Sequence, residues 1–173
     1  ALSVVSAIGQ GTNNFTTVGL ARYVTTVANS GTCYDLTLLD KVTDTSGNLL
    51  VNYSANVRNT IDMPQSYWNA IHQGMRGVVQ NKKYYQDFGV EVAGKTGTAE
   101  EDKSRPNHGL FVGYAPYDNP EVSMAIRIAN GYASTNSELV AKDILNYYFG
   151  LKDETEILTG QASSASNSNA GTD

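Results

Sequence analysis

Hydrophobic positions along the chain follow two rhythms, and the changeover comes near its middle. From Thr16 to about Ser30 they recur at Leu20, Val24, Val27 and Ala28, the three-to-four spacing of one helix face. Thr16 is placed to cap that helix and Gly31 to end it. Leu38 to Thr43 and Leu49 to Tyr53 read as two strands about a turn at Ser46-Gly47-Asn48. The helical spacing returns after Asp62 and Pro64, predicting Tyr67, Ile71, Met75 and Val78 on one face, and fades at Asn81-Lys82-Lys83.

Period two then takes over. Valines alternate into a strand from Val90 to Glu100, and His108 to Ala115 and Val122 to Ala129 predict two more strands. Pro116-Tyr117-Asp118-Asn119-Pro120, dense in turn formers, joins the last two. A final helix is expected from about Ser137 to Phe149, with Val140, Ile144 and Tyr148 inward. Strands grouped by short connections, with helices before and after, predict an α+β fold: an antiparallel sheet flanked by helices, not alternating βαβ units. Residues 1–12 are small and glycine-rich. Residues 161–173 are Ser, Asn, Ala and Gly with little to bury, so they are expected to form a disordered tail behind a folded part spanning 1–160.

Composition adds limits. With 173 residues, 40% hydrophobic and 17% charged, the chain is the size and make-up of one globular domain. A net charge of −5 argues against a general nucleic-acid binder, which needs a basic face. Cys33 is the single cysteine, so no internal disulfide can form; it reads as a small buried apolar residue. No metal site and no cofactor are expected. No apolar run within the 173 residues reaches membrane-spanning length, and no signal peptide is read among them. Ala1 opens the chain without an initiator methionine, and the expectation is a piece of something longer.

The chemistry concentrates where valine alternation gives way to Ala93-Gly94-Lys95-Thr96-Gly97-Thr98-Ala99-Glu100. Two motifs overlap there. Gly89 to Thr96 spells G-x-x-x-x-G-K-T, the phosphate-cradling P-loop. That loop needs a buried strand before its first glycine and a helix N-terminus after its Lys-Thr. Here Lys82 to Phe88 is too polar for a central parallel strand, and Gly97 followed by a charged run to Pro106 starts helices poorly. A nucleotide-binding protein is therefore only a remote alternative. The second reading takes Lys95-Thr96-Gly97 as a unit, the K-T-G of serine β-lactamases and penicillin-binding proteins.

The surroundings favour the second. Ala7-Ile8-Gly9-Gln10-Gly11, then Phe15-Thr16-Thr17 and a helix to Ala28-Asn29-Ser30-Gly31, resembles the I-G-Q-G…T-P…A-N-x-G segment of class B penicillin-binding proteins. Gly74-Met75-Arg76-Gly77-Val78-Val79 resembles that family's G-M-x-x-V-V helix, and Lys95 to Glu100 its K-T-G-T-A-[EQ] strand. His108 to Pro116 is similar to its H-x-x-F-x-G-[FY]-A-P hairpin. The matches run in the family's order from Ala7 to about Leu151; Thr17, where the family usually has proline, is a minor departure. The resemblance implies the C-terminal portion of the transpeptidase, serine β-lactamase-like fold, from a protein similar to penicillin-binding protein 2.

A larger departure concerns the nucleophile. The family's acylated serine lies in S-x-x-K upstream of I-G-Q-G, and the residues three before each lysine here are Leu38, Val79, Gln80, Val92, Glu100, Leu139 and Phe149. None is serine. Ser46-Gly47-Asn48, Ser54-Ala55-Asn56 and Ser134-Thr135-Asn136 match the family's S-x-N by letters alone and are read as structural. What the resemblance implies is then a fragment of a peptidoglycan D,D-transpeptidase that carries the substrate-binding strand and lacks catalysis as an isolated chain. Lys95, Thr96, Gly97 and Thr98 would bind the D-Ala-D-Ala end of a stem peptide or a β-lactam, with the Thr98 backbone N–H in the oxyanion hole. Further implied are the missing N-terminal part of the domain as partner and a membrane-anchored parent at the extracytoplasmic face of a bacterial cell membrane. The alternative is a noncatalytic β-lactam sensor on the same fold; a third reading is scaffold alone.

Other candidates read as structural. His108 begins a strand, in a family whose base is lysine. His72 lies on a helix with no acidic or cysteine partner at ligand spacing and is expected to be solvated. Glu100 and Glu101 form a polar strand exit. The sequons at Asn14 and Asn52 carry little weight in the bacterial source that the resemblance implies.

Overall fold

A computed structural model of the chain describes residues 13–158, together with Val4, Ser6, Gly9 and Gly11. The expected tail at 161–173 and most of the Ile-Gly-Gln-Gly segment lie outside the described residues. The first helix, α1 (Thr17–Ala28), begins where its pattern predicts: the Thr16 hydroxyl accepts from the Gly19 N–H at 3.0 Å. It closes in a two-bond motif, Ser30 N–H to Val27 O at 2.9 Å and Gly31 N–H to Thr26 O at 2.9 Å. Ser30 at φ 50° and the expected Gly31 at φ 101° both take positive φ there.

Two short strand pairs follow. β1 (Thr32–Tyr34) pairs with β4 (Val57–Thr60), and between them β2 (Lys41–Thr43) and β3 (Leu49–Asn52) form the expected hairpin. Its turn is organised by Asp44, whose Oδ1 accepts from the N–H groups of Ser46 and Asn48 while Oδ2 accepts from the Asn48 amide. These bonds hold the Asp44 carboxyl below its ordinary range, Asn48 contributing most. β1 and β4 were not foreseen. They pair with each other across the whole β2–β3 hairpin, so no local turn signal joins them.

α2 spans Gln65–Gln80, and a 3-10 turn at Lys83–Tyr85 leads to the main sheet: β5 (Ala93–Ala99), β6 (His108–Ala115) and β7 (Val122–Ile128), antiparallel in that order. α3 (Ser134–Tyr148) and a last turn, α4 (Glu154–Ile157), end the described chain. α3 covers one face of the sheet and α1 the other; α2 lies along β5, with Met75 in the α1-side cluster and Val79 in the α3-side one. β6 shows why. Phe111 and Ala115 pack with Ala141 and Leu145 of α3, whereas Tyr114, on the alternate face, packs with Val24 of α1 and Ala93. This is the predicted antiparallel sheet flanked by helices. Among the described residues no helix is long and apolar enough to cross a membrane.

Two helix faces differ from expectation. On α2 the buried residues are Trp68 and Val79, with His72 and Met75 half-buried, while Tyr67 and Ile71 are exposed. The contact stripe is thus one residue round from the predicted one, and only Met75 and Val78 of the predicted set are even partly covered. On α3 the expected inward residues Val140, Ile144 and Tyr148 face out, and the buried side is Ser134, Ser137, Glu138, Ala141, Leu145 and Asn146. The reason lies in β6. A Cβ added at Gly109 would stand 2.5 Å from Ala133 O and 3.0 Å from Ser137 Oγ, so the helix lies almost on the strand backbone. Only small side chains fit a contact that close.

Glu138 is the cost of that small polar face. It is wholly buried; its Oε2 accepts from the Tyr84 hydroxyl at 2.5 Å and lies 3.6 Å from Lys82 Nζ. Tyr85 donates to the Glu138 backbone oxygen at 3.1 Å. Burial first, then the carboxylate, push both tyrosine hydroxyls above their ordinary range. The cluster pins the 3-10 turn to α3, and with it the approach to β5.

Candidate functional site

Among the described residues β5 is an edge strand of the main sheet, with β6 as its one strand partner. Every residue of the Lys-Thr-Gly-Thr run lies inside it. Register sets Lys95 opposite Val112, Thr96 opposite Phe111, Gly97 opposite Leu110 and Thr98 opposite Gly109. An edge strand leaves alternate backbone N–H and C=O groups without a ladder partner. The Lys95 side chain is exposed, and its Nζ donates to the Thr96 carbonyl at 2.7 Å. Thr96, Gly97 and Thr98 are half-buried.

Two glycines of the strand have opposite reasons to be glycine. A Cβ on Gly94 would fall 2.4 Å from Phe111 Cζ and 2.9 Å from Val112 O, so the fold itself requires bare backbone there. A Cβ on Gly97 would meet only the Leu110 side chain, Cβ at 3.5 Å and Cδ1 at 3.9 Å, ordinary contacts, and its φ is not left-handed. Nothing in the packing forbids a side chain at Gly97. The same geometry removes the nucleotide-binding reading: Gly94 sits under an aromatic ring, Lys95-Thr96 are mid-strand, and no helix starts there.

The strand is anchored at both ends. At its entry, Arg76 of α2 pairs with Glu91 at 2.7 Å and reaches the Val92 carbonyl at 3.4 Å. A cavity of about 190 Å³ lies beside that anchor, lined by Tyr85, Phe88 and Val90 among others, away from Lys95 and Thr98. At the exit stands His108, 7% exposed. Its Nδ1 accepts from the Asn130 N–H at 2.9 Å, which puts the proton on Nε2, and Nε2–H donates to Glu101 at 2.7 Å. With both nitrogens occupied, the ring has no lone pair to offer as a base. The Arg127 guanidinium, a donor only, lies 3.1 Å from Nε2.

The remaining candidates resolve similarly. His72 is not solvated: its Nε2–H donates to the Val27 carbonyl at 2.7 Å, and its ring meets Tyr114 edge-on. Cys33 is buried. Glu100 is exposed, and the loop after Glu101 turns on Asp102, which accepts from the Ser104 N–H and hydroxyl at 2.8 Å each. Among the described residues no cluster could hold a metal ion. Glu101, Arg127 and Asn130 are the partners missed in the sequence. Glu101 lies two residues beyond the Ala99↔His108 pair and follows from hairpin register, but Arg127 and Asn130 come from the far side of β6 and left no local signal.

Residues 2–146 match the penicillin binding protein transpeptidase domain family. The chain belongs to that family. Penicillin-binding protein 2B of Streptococcus pneumoniae is 28% identical over 162 residues, covering 84% of this chain and 24% of that protein. Its structure superposes with a TM-score of 0.72 at 26% identity, over 87% of this chain and 27% of the other. Peptidoglycan D,D-transpeptidase MrdA of Haemophilus influenzae is 29% identical over 163 residues, 82% of this chain and 25% of that one. Penicillin-binding protein A of M. tuberculosis, solved as its imipenem acyl-enzyme complex, gives a TM-score of 0.65 at 25% identity, over 73% of this chain and 29% of that one. The resemblance to class B penicillin-binding proteins and their fold is therefore borne out. The chain spans about a quarter of the length of the curated relatives it matches.

Proposed function

We propose that this chain supplies the substrate-receiving edge of a peptidoglycan D,D-transpeptidase and works with a segment that carries the acylated serine. The observation that carries the reading is the open edge of β5 at Gly97, a glycine that its own neighbours do not demand. An extended peptide can pair along such an edge, and a bare residue lets it lie flat.

In that pose Lys95 brings its positive charge to the terminal carboxylate of D-Ala-D-Ala, or to the carboxylate of a β-lactam, and the hydroxyls of Thr96 and Thr98 donate to it. The Thr98 N–H faces the carbonyl oxygen that becomes negative as serine attacks. Loss of one such donor typically costs about 100- to 1,000-fold in rate. The serine would release the last D-alanine and pass the acyl group to a neighbouring stem's amine. No S-x-x-K occurs in the 173 residues, so this chain binds without acylating. The same reading puts the parent at the extracytoplasmic face of a bacterial membrane, and residues 1–160 as one part of its transpeptidase domain.

The test has two arms on this chain. Incubation with a fluorescent penicillin is expected to leave no covalent label; a labelled band would mean that a nucleophile is present after all. Titration of ¹⁵N-labelled chain with diacetyl-Lys-D-Ala-D-Ala is expected to move the amide signals of Lys95 to Thr98, and Lys95→Ala to abolish the response. An unchanged spectrum would remove the receiving edge.

A further inference from the structure

We infer that His108 is the positioning residue for the Thr98 end of β5, joining in one buried ring three segments that meet there. The inference rests on the proposed role of Thr98. His108 pairs in register with Ala99, the residue directly after Thr98, and begins the neighbouring strand. Through Nε2–H it holds Glu101, and so fixes the chain as it leaves β5. Through Nδ1 it holds the Asn130 N–H, at the start of the β7–α3 connection.

That connection is itself strained. Asn130 and Tyr132 have φ of 53° and 65°, a region that bulky residues such as tyrosine rarely adopt. It is kept in place by the Tyr132 N–H to Asn107 O bond at 2.9 Å and by Asn136 Nδ2 to Gly131 O at 2.7 Å. Asn107 immediately precedes His108, so both bonds from the connection arrive at one point. Among the described residues β5 pairs with one strand only, β6, and Arg76 anchors its opposite end. The ring is therefore what sets the direction of the strand's last residues, without touching the ligand. Its two nitrogens do separable work: asparagine can replace Nδ1 as acceptor for Asn130, and glutamine can replace Nε2–H as donor to Glu101.

The experiment compares the ¹⁵N-labelled chain with His108→Ala, His108→Asn and His108→Gln. In His108→Ala, backbone order parameters at Thr98 to Glu101 and Asn130 to Tyr132 are expected to fall from a rigid ~0.85 to below about 0.6, while Phe111 and Leu145 stay rigid. His108→Asn is expected to restore order at Asn130 and His108→Gln at Glu101. With diacetyl-Lys-D-Ala-D-Ala, the Thr98 response is expected to be lost in His108→Ala while the Thr96 response persists. Unchanged order at Thr98 in a folded variant overturns the inference. So does a loss of order spread evenly over the core in all three variants, which marks a merely stabilising side chain. A peptide that moves neither Thr96 nor Thr98 in the unsubstituted chain counts against the proposed function instead, and the order parameters then decide the inference alone.

Discussion

Gly94 and Gly97 differ by three positions and predict opposite phenotypes. Gly94→Ala drives a Cβ to 2.4 Å from the Phe111 ring, and such overpacking costs roughly 1–3 kcal/mol. Gly97→Ala meets ordinary contacts and removes chain entropy from the unfolded state, so denaturant melts are expected to show stability unchanged or raised by up to about 1 kcal/mol. Peptide titration of the same variant is expected to show binding lost. If Gly97→Ala binds normally, the bare backbone there serves no ligand. Tyr114 gives a second test at this scale. Its buried hydroxyl has no partner among the described residues, and burial, then nearby Tyr117, push it up to about 12 from 10.0. A raised folded pKa leaves this contribution whole below pH 10 and erodes it as pH climbs toward 12, since the unfolded chain releases the proton first. Tyr114→Phe is expected to make the alkaline decline shallower, and urea melts across that window would read it.

At the scale of elements, α3 is the informative case. Its apolar residues are more numerous on the outside, and its inward side is set by how closely it must approach Gly109. Ile144→Lys, a change no inward position tolerates, is therefore expected to alter stability by no more than about 0.5 kcal/mol. A loss of several kcal/mol would mean that the predicted face, not the observed one, meets the core. Glu138 reports the other side of the same helix. Glu138→Ala leaves the Tyr84 hydroxyl and Lys82 without their buried acceptor and is expected to cost about 3–5 kcal/mol. Tyr84→Phe, which spares the charge but strips one bond from it, is expected to cost about 1–3 kcal/mol in the same melts. The two helix faces misjudged in the sequence differ in kind: α3 packs through small and polar residues over Gly109, whereas α2 buries Trp68 and Val79, one residue round from the apolar stripe its spacing suggests.

Over the whole molecule, the three layers serve to present one strand edge. α2 lies along β5, α1 packs against β6 and β7, α3 with its buried carboxylate supports the sheet from the other face, and Arg76 and His108 fasten the two ends of β5. The sequence by itself determined the elements of the main sheet, the α1 cap at Thr16, the Asp44 hairpin and the placement of Lys95 to Thr98 within one strand. Those features depend on residues close together in the chain, where spacing and turn chemistry are read directly. The sequence also carried the family resemblance, because its motifs fall in order along most of the length. Only tertiary structure decided which faces of α2 and α3 turn inward, that His72 is tied to Val27, and that His108 joins Glu101 to Asn130. Each of those rests on the distance between residues far apart in the chain. Composition and period carry no such distance: a glycine that lets a helix come close and a glycine that lets a ligand come close are the same letter until the neighbours are in place.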